Sequence, residues 1–147
     1  MPSASIQVLS MQLDPNYAAA HMRLGSAYAR KQQYNQAVIE MLKGISLDKI
    51  PARLATLGEV YVHWGKRRKA FDTIRQLRQM SKQRYVAPSA IALIYAQLGD
   101  KSHALSWLEK AKPEDEPRIS DAGFETLRSD QKFKIVEARL KLNPSCP

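Results

Sequence analysis

Three histidines are the residues of this chain best suited to catalysis or metal binding, and their spacing favours neither. They are His21, His63 and His103, and they form no His-x-x-x-His pair and no metal-binding spacing with a glutamate. The sequence also contains no glycine-rich phosphate loop and no nucleophile motif of the G-x-S-x-G type. We therefore expect no enzymatic activity, no metal and no other cofactor.

The remaining reactive side chains also have simple interpretations. Glu114, Asp115 and Glu116 are adjacent, but prolines flank them, which favours a solvated loop over an acid–base pair. Cys146 is the single cysteine, so no intramolecular disulfide can form, and we expect a reducing compartment, the cytoplasm. No apolar stretch approaches the roughly 20 residues of a membrane span, and the N-terminus lacks the features of a signal peptide.

The net charge of +9 is concentrated in one segment. Residues 66–84 contain eight lysines and arginines against one aspartate. A cluster of this kind can neutralise phosphates, so a nucleic-acid-binding surface is an alternative function. Phe71 lies among these cations but is expected to belong to the core, and no other aromatic residue is interleaved to stack on bases, so we favour a solvated convex helix face. The four residues of the possible anion-binding patch are Lys66, Arg67, Arg68 and Lys69.

A repeated pattern sets the positions of the structural elements. The stretch LGSAY at 24–28 returns as LGEVY at 57–61, and Tyr95 follows Tyr61 by 34 residues. Nine residues after each of the three tyrosines there is an alanine, at positions 37, 70 and 104. Regular self-similarity of this length predicts tandem structural repeats.

Each copy of the pattern reads as two helices with a buried apolar stripe. The predicted first helices are 17–30, 52–64 and 88–98, and the second helices are 35–46, 68–81 and 102–111. Gly65 and Gly99 are placed to end the first helices in a turn with positive φ, and Pro51 and Pro88 to begin them. Small residues three positions before the tyrosines, such as Gly25, allow the paired helices to approach closely.

This pattern resembles the tetratricopeptide repeat, a helix-turn-helix unit of about 34 residues. The resemblance implies an all-α, right-handed superhelix of tandem repeats closed by a capping helix. We expect one domain, consisting of the second helix of a truncated repeat at 1–15, repeats at 16–50, 51–84 and 85–112, and a loop with a capping helix at 113–147. The aromatic residue that usually opens the first helix is absent, and His21, Leu54 and Pro88 occupy its position.

A narrower resemblance covers about residues 52–142. The stretch SKQRYVAPSAIALIYAQLGDKSHALSWLEKA, followed by FETLRSDQKF, is similar to the C-terminal repeat regions of bacterial multidomain regulators. This resemblance implies an effector domain upstream of residue 1. It also implies that the repeats are the regulatory arm of a larger signalling or transcription-regulating protein.

The first helices of such repeats line a concave face, which predicts a protein or peptide partner there. The predicted ligand-binding residues are Met22, Ser26, Arg30, Glu59, His63, Leu93 and Gln97. Some tetratricopeptide domains hold a terminal carboxylate with Lys, Asn and Arg, but those positions here are Met22, Ser26, Thr56 and Ala90. We therefore favour an apolar or amphipathic helix as the ligand. A groove filled by the chain itself, or homo-oligomerisation through the N-terminal end near Val8, Met11 and Leu13, remain alternatives.

Overall fold

The computed structural model describes residues 17–113 and 121–142, and within them it contains only helices, which confirms the all-α prediction. The helices are α1 Ala18–Arg30, α2 Tyr34–Leu47, α3 Pro51–His63, α4 Arg67–Met80, α5 Pro88–Gln97, α6 Lys101–Leu108, the 3₁₀ helix Ala122–Leu127 and α7 Gln131–Leu142. The predicted helix at 1–15 and the acidic residues 114–116 lie outside the described residues. Pro51 and Pro88 begin α3 and α5, as predicted.

The turns between paired helices repeat one backbone conformation. Gln32, Gly65 and Gly99 have φ angles of 61°, 80° and 84°, and they follow one another at intervals of 33 and 34 residues. Glycine adopts this left-handed conformation without steric cost, whereas glutamine does not. The prediction of positive φ at both glycines is confirmed, and the first repeat makes the same turn with a strained residue.

The residue after each of these turns donates its amide hydrogen to the carbonyl of the tyrosine five positions earlier. The three N···O pairs are Gln33 to Tyr28 at 3.0 Å, Lys66 to Tyr61 at 2.8 Å and Asp100 to Tyr95 at 2.9 Å. Each bond satisfies a carbonyl that the end of the helix leaves without an intrahelical donor. The three tyrosines therefore occupy equivalent backbone positions, and the repeat read from the sequence exists in the structure.

The described chain forms two compact units that divide between Thr73 and Ile74, inside α4. In the first unit, α1 and α2 form a helical hairpin and α3 packs against α2. A Cβ atom placed on Gly25 of α1 would lie 2.9 Å from the carbonyl oxygen of Ala37 and 2.6 Å from Cγ of Met41. Gly25 is thus required for the close packing of α1 against α2, as predicted.

In the second unit, α5 and α6 form the corresponding hairpin, with the 3₁₀ helix against α5 and α7 against α6. Phe124 of the 3₁₀ helix and Phe133 of α7 are fully buried, and their ring centroids are 6.0 Å apart. Val136 and Leu140 continue the buried stripe of α7. The last helix therefore buries an apolar face, as a capping helix requires.

Candidate functional site

A pocket of about 380 Å³ opens between α1 and the first turns of α3, within the first unit. Its lining residues are Ala19, Met22, Arg23, Ser26, Ala27, Arg30, Ala52, Arg53 and Thr56. The two helices that form it are first helices of consecutive repeats, the elements expected to present the ligand-binding face. Pockets for small groups in proteins commonly begin at volumes of about 300 Å³, so this pocket accommodates one or two side chains of a partner.

The floor of the pocket is apolar and closely packed. Met22 is only 9% exposed and lies against α2, where a Cβ atom on Gly44 would come 3.1 Å from its Cγ and Sδ atoms. Gly44 therefore makes the space that the methionine side chain occupies. The alanines of the lining keep the remaining floor wide, and the hydroxyl groups of Ser26 and Thr56 add polar atoms to it. Thr56 directs its hydroxyl hydrogen to the carbonyl of Ala52, at 3.0 Å.

Among the residues that the structure describes, three arginines and no carboxylate line the pocket. Nη1 of Arg53 donates to the carbonyl oxygen of Asp48 at 2.7 Å and to its Oδ2 at 2.6 Å. Arg23 and Arg30 are exposed, and neither makes an ion pair or hydrogen bond with residues 17–113 or 121–142. The pocket therefore combines an apolar floor with a positive rim, to which Arg23 and Arg30 contribute most because Asp48 offsets the charge of Arg53.

The structure brings together three of the predicted ligand-binding residues, Met22, Ser26 and Arg30. Glu59 and His63 lie nearer the other end of α3 and do not line the pocket. The Nδ1 atom of His63 is 2.8 Å from the carbonyl oxygen of Glu59, to which it donates its hydrogen. This bond occupies one of the two ring nitrogens of an exposed histidine.

The other two predicted residues, Leu93 and Gln97, lie in α5 of the second unit, beneath the 3₁₀ helix. Leu93 is 2% exposed and touches the backbone at Gly123, where a Cβ atom would also lie 2.9 Å from Nε2 of Gln97. The chain itself occupies this face of α5, which was one alternative in the sequence interpretation. A role for Leu93 in ligand contact stays an untested prediction, and we leave it out of the surface proposed below.

Sequence reasoning missed Arg23 and Arg53. Arg23 follows Met22, and Arg53 lies in the first turn of α3. The positions predicted to face the ligand were counted along each first helix from its tyrosine, and both arginines lie next to such positions. Long side chains reach across a helix surface to a neighbouring groove. Extending the inner face by one position on each side would have included both arginines.

The patch at the start of α4 differs from its prediction in one respect. Lys66 lies 4.9 Å from the ring centroid of Trp64, Arg67 lies 5.8 Å from that of Phe71, and Lys69 lies 5.6 Å from that of Tyr61. Aromatic rings therefore lie beside three of the four cations, whereas the expectation that none is available for stacking on bases stays a prediction. The pattern was missed because the rings of Trp64 and Tyr61 come from the preceding helix and turn. Arg68 is exposed, and no aromatic ring of the described part of the chain lies next to its guanidinium group.

The described residues contain neither a metal-binding cluster nor a membrane-spanning helix. In 17–113 and 121–142, no three side chains of His, Cys, Asp or Glu converge as a metal site would require. None of the helices in these ranges combines the length and the apolar character needed to span a bilayer.

The sequence model of the tetratricopeptide repeat matches residues 18–51 and 89–112. The chain therefore contains a tetratricopeptide-repeat domain, in which tandem helical hairpins form an all-α fold. Such repeats generally mediate protein–protein interactions and are typically scaffolds without enzymatic activity. A comparison with curated proteins gave no match. The narrower similarity to bacterial regulators stays a prediction.

Proposed function

We propose that this domain binds a partner protein through an amphipathic segment that carries carboxylates, and that the pocket between α1 and α3 receives it. One observation carries the proposal: the pocket has an apolar floor and three arginines on its walls, and no carboxylate is among the lining residues within 17–113 and 121–142. An apolar side chain of the partner would rest against Met22 and the alanines. Neighbouring carboxylates would pair with Arg23 and Arg30.

The arginines refine the ligand expected from the sequence, which was an apolar or amphipathic helix. Guanidinium groups pair with carboxylates through two parallel N–H···O bonds, a geometry that lysine does not offer. Because Arg23 and Arg30 are exposed, each pair is worth only about 0.5–1 kcal/mol. The arginines therefore add selectivity for an acidic segment, and burial of the apolar side chain supplies the larger part of the affinity.

The test uses two fluorescein-labelled peptides that carry leucine at helical spacing. One has glutamate at the intervening positions and the other has glutamine, and fluorescence anisotropy measures both affinities. We expect the double variant Arg23→Gln/Arg30→Gln to bind the glutamate peptide about tenfold more weakly, and the glutamine peptide with unchanged affinity. Circular dichroism verifies that the variant remains helical.

The matched control is Lys101→Gln/Lys134→Gln, which removes two exposed charges from outside the pocket and outside the basic segment 66–84. We expect this variant to bind both peptides like the wild type. Equal losses in the two double variants would mean that the net charge of +9, and not the pocket, attracts the acidic peptide. Failure of the wild type to bind either peptide would contradict the proposal as a whole.

The place of the domain in a larger protein is a second part of the proposal. The resemblance of residues 52–142 to the repeat regions of bacterial regulators supports a role as the partner-binding arm of a cytoplasmic signalling or transcription-regulating protein. The DNA upstream of the codon for residue 1 tests this role. A reading frame that encodes no effector domain in continuity with the repeats would contradict it.

A further inference from the structure

The turns that follow α1 and α3 lie side by side within the first unit, and each carries a lysine. The ring of Tyr34, at the start of α2, stacks on the ring of Trp64, which follows α3, and their centroids are 6.3 Å apart. Nζ of Lys66 lies 4.9 Å from the centroid of the same indole ring. Lys31 directly follows the last residue of α1, and both lysines are exposed. We call Lys31, Tyr34, Trp64 and Lys66 the turn patch.

The two stretches of sequence that form these turns contain cations and no carboxylate. Residues 28–37 contain two lysines or arginines, residues 60–71 contain four, and neither stretch contains an aspartate or a glutamate. Glu40, Glu59 and Asp72 are the carboxylates that flank the stretches, and all three interact with residues outside the turn patch. In the described part of the chain, the two lysines of the turn patch therefore make no ion pair, and their charge is available to a ligand.

The turn patch continues the positive rim of the pocket between α1 and α3. Arg30 is the last residue of α1 and lines the pocket, and Lys31 is its neighbour in the chain. A ligand that leaves the pocket past Arg30 therefore meets Lys31 next and, across the stacked rings, Lys66. Because about eight extended residues span about 27 Å, a short tract of the ligand is long enough to contact both lysines.

The aromatic rings of the turn patch favour an acidic polypeptide over a nucleic acid. Single-stranded nucleic acids gain affinity when their bases stack on open aromatic faces. Tyr34 and Lys66 already lie against the Trp64 ring, and both aromatic side chains are only partly exposed, so little ring surface is left for a base. The negative face of the indole instead holds the Lys66 ammonium in place, and its N–H groups still donate to carboxylates.

We propose that the turn patch binds an acidic tract of the same partner segment that occupies the pocket, a step that rests on the proposed function. The partner segment then has two parts in a fixed order: an amphipathic stretch in the pocket, joined directly to acidic residues that pair with Lys31 and Lys66. Exposed ion pairs contribute little individually, so the tract raises the affinity of the segment and is not a binding site for acidic chains on its own.

Fluorescence anisotropy with extended forms of the leucine–glutamate peptide tests this order. The peptide is used alone, with eight glutamates added at its N-terminus or at its C-terminus, and with eight glutamines added at the same ends. We expect the glutamate tract, at one of the two ends, to strengthen binding to the wild type about fivefold, as two exposed ion pairs together supply, and the glutamine tract to leave it unchanged. Lys31→Gln/Lys66→Gln should remove this gain and bind the peptide without a tract like the wild type.

The matched control is Lys101→Gln/Lys134→Gln, which lowers the net charge equally at exposed positions of the second unit and should keep the fivefold gain. A gain that is missing at both ends, or that the control loses equally, overturns the turn patch, while binding of the peptide without a tract leaves the proposed function intact. Failure of that shorter peptide to bind overturns both. An oligothymidylate of eight phosphates serves as competitor. If it displaces the extended peptide at lower concentration than octaglutamate does, and loses this ability with Lys31→Gln/Lys66→Gln, the patch is a nucleic-acid site and the proposal is wrong.

Discussion

The Nδ1 atom of His21 lies 2.8 Å from Oε2 of Glu40, and this contact joins α1 to α2 inside the first unit. His21 is 5% exposed and occupies the position where this repeat family usually has an aromatic residue. Nζ of Lys43 lies 3.1 Å from the other carboxylate oxygen of Glu40. The Glu40 carboxylate has little exposure to water and has lost most of its hydration, so it depends on these two partners.

We expect His21→Leu to lower the free energy of unfolding by about 2 kcal/mol, since it leaves the Glu40 carboxylate in place with only Lys43 to offset its burial. The double variant His21→Leu/Glu40→Leu should recover most of that loss, because no unpaired polar group remains. Urea denaturation followed by circular dichroism measures both values. The single variant Glu40→Leu completes the cycle. If the losses in free energy of unfolding of the two single variants add up to that of the double variant within about 0.5 kcal/mol, the contact contributes nothing to stability.

The first turn offers a stabilising change. Gln32 has a φ of 61°, in the region where a side chain costs about 1–2 kcal/mol. We expect Gln32→Gly to raise the free energy of unfolding by about 0.5–1 kcal/mol, because relief of this strain exceeds the greater flexibility of glycine in the unfolded chain. The matched control is Gln33→Gly, where φ is −90° and no strain is relieved. We expect the free energy of unfolding of Gln33→Gly to fall. An equal rise of this free energy in Gln32→Gly and Gln33→Gly would refute the explanation by strain.

The positions of the helices could be read from the sequence because tyrosine, a small residue before it and alanine after it recur at fixed spacing in each repeat. The end of α6 could not be read from the sequence in this way. The predicted helix was 102–111, whereas the helix in the structure ends at Leu108. Nη2 of Arg139, in α7, donates to the carbonyl oxygens of Glu109 and Ala111 at 3.3 Å each. A side chain from 28 residues later thus satisfies the backbone there, and local periodicity carries no trace of it.

The sequence also predicted part of the candidate site, and the covering of Leu93 was the part that it could not predict. Counting from the tyrosines placed Met22, Ser26 and Arg30 on one face, because residues three and four apart share a helix face. The same counting placed Leu93 on that face, but it could not reveal that the segment around Gly123 folds back over it. The covering segment lies 30 residues further along the chain, outside the repeat.

Leu93 provides a test of that covering. We expect Leu93→Asp to lower the free energy of unfolding by more than about 3 kcal/mol, because a carboxylate would replace a side chain that is 2% exposed. The matched control is Ile135→Asp in α7, where the side chain is 59% exposed and the change should cost about 0.5 kcal/mol or less. Urea denaturation separates the two. A stable Leu93→Asp variant that no longer binds the peptides would instead identify Leu93 as a ligand contact.

Alkaline pH should weaken the fold through Tyr61, whose side chain is buried near the end of α3. Burial raises the pKa of the Tyr61 phenol above its ordinary value of 10.0, because the phenolate would lose hydration. The unfolded chain therefore releases this proton at a lower pH than the folded chain. The folded state binds more protons as the pH rises past 10, so the free energy of unfolding falls with pH there.

Tyr61→Phe removes this proton, so the variant should lose less stability between about pH 9 and about pH 11 than the wild type does. Thermal unfolding at a series of pH values measures the difference. Tyr17→Phe is the matched control, because it removes the hydroxyl of an exposed tyrosine. Lysines also lose charge in this range, but they do so in all three proteins and cancel in the comparison. Parallel losses in the wild type and in Tyr61→Phe would show that alkaline unfolding has another origin.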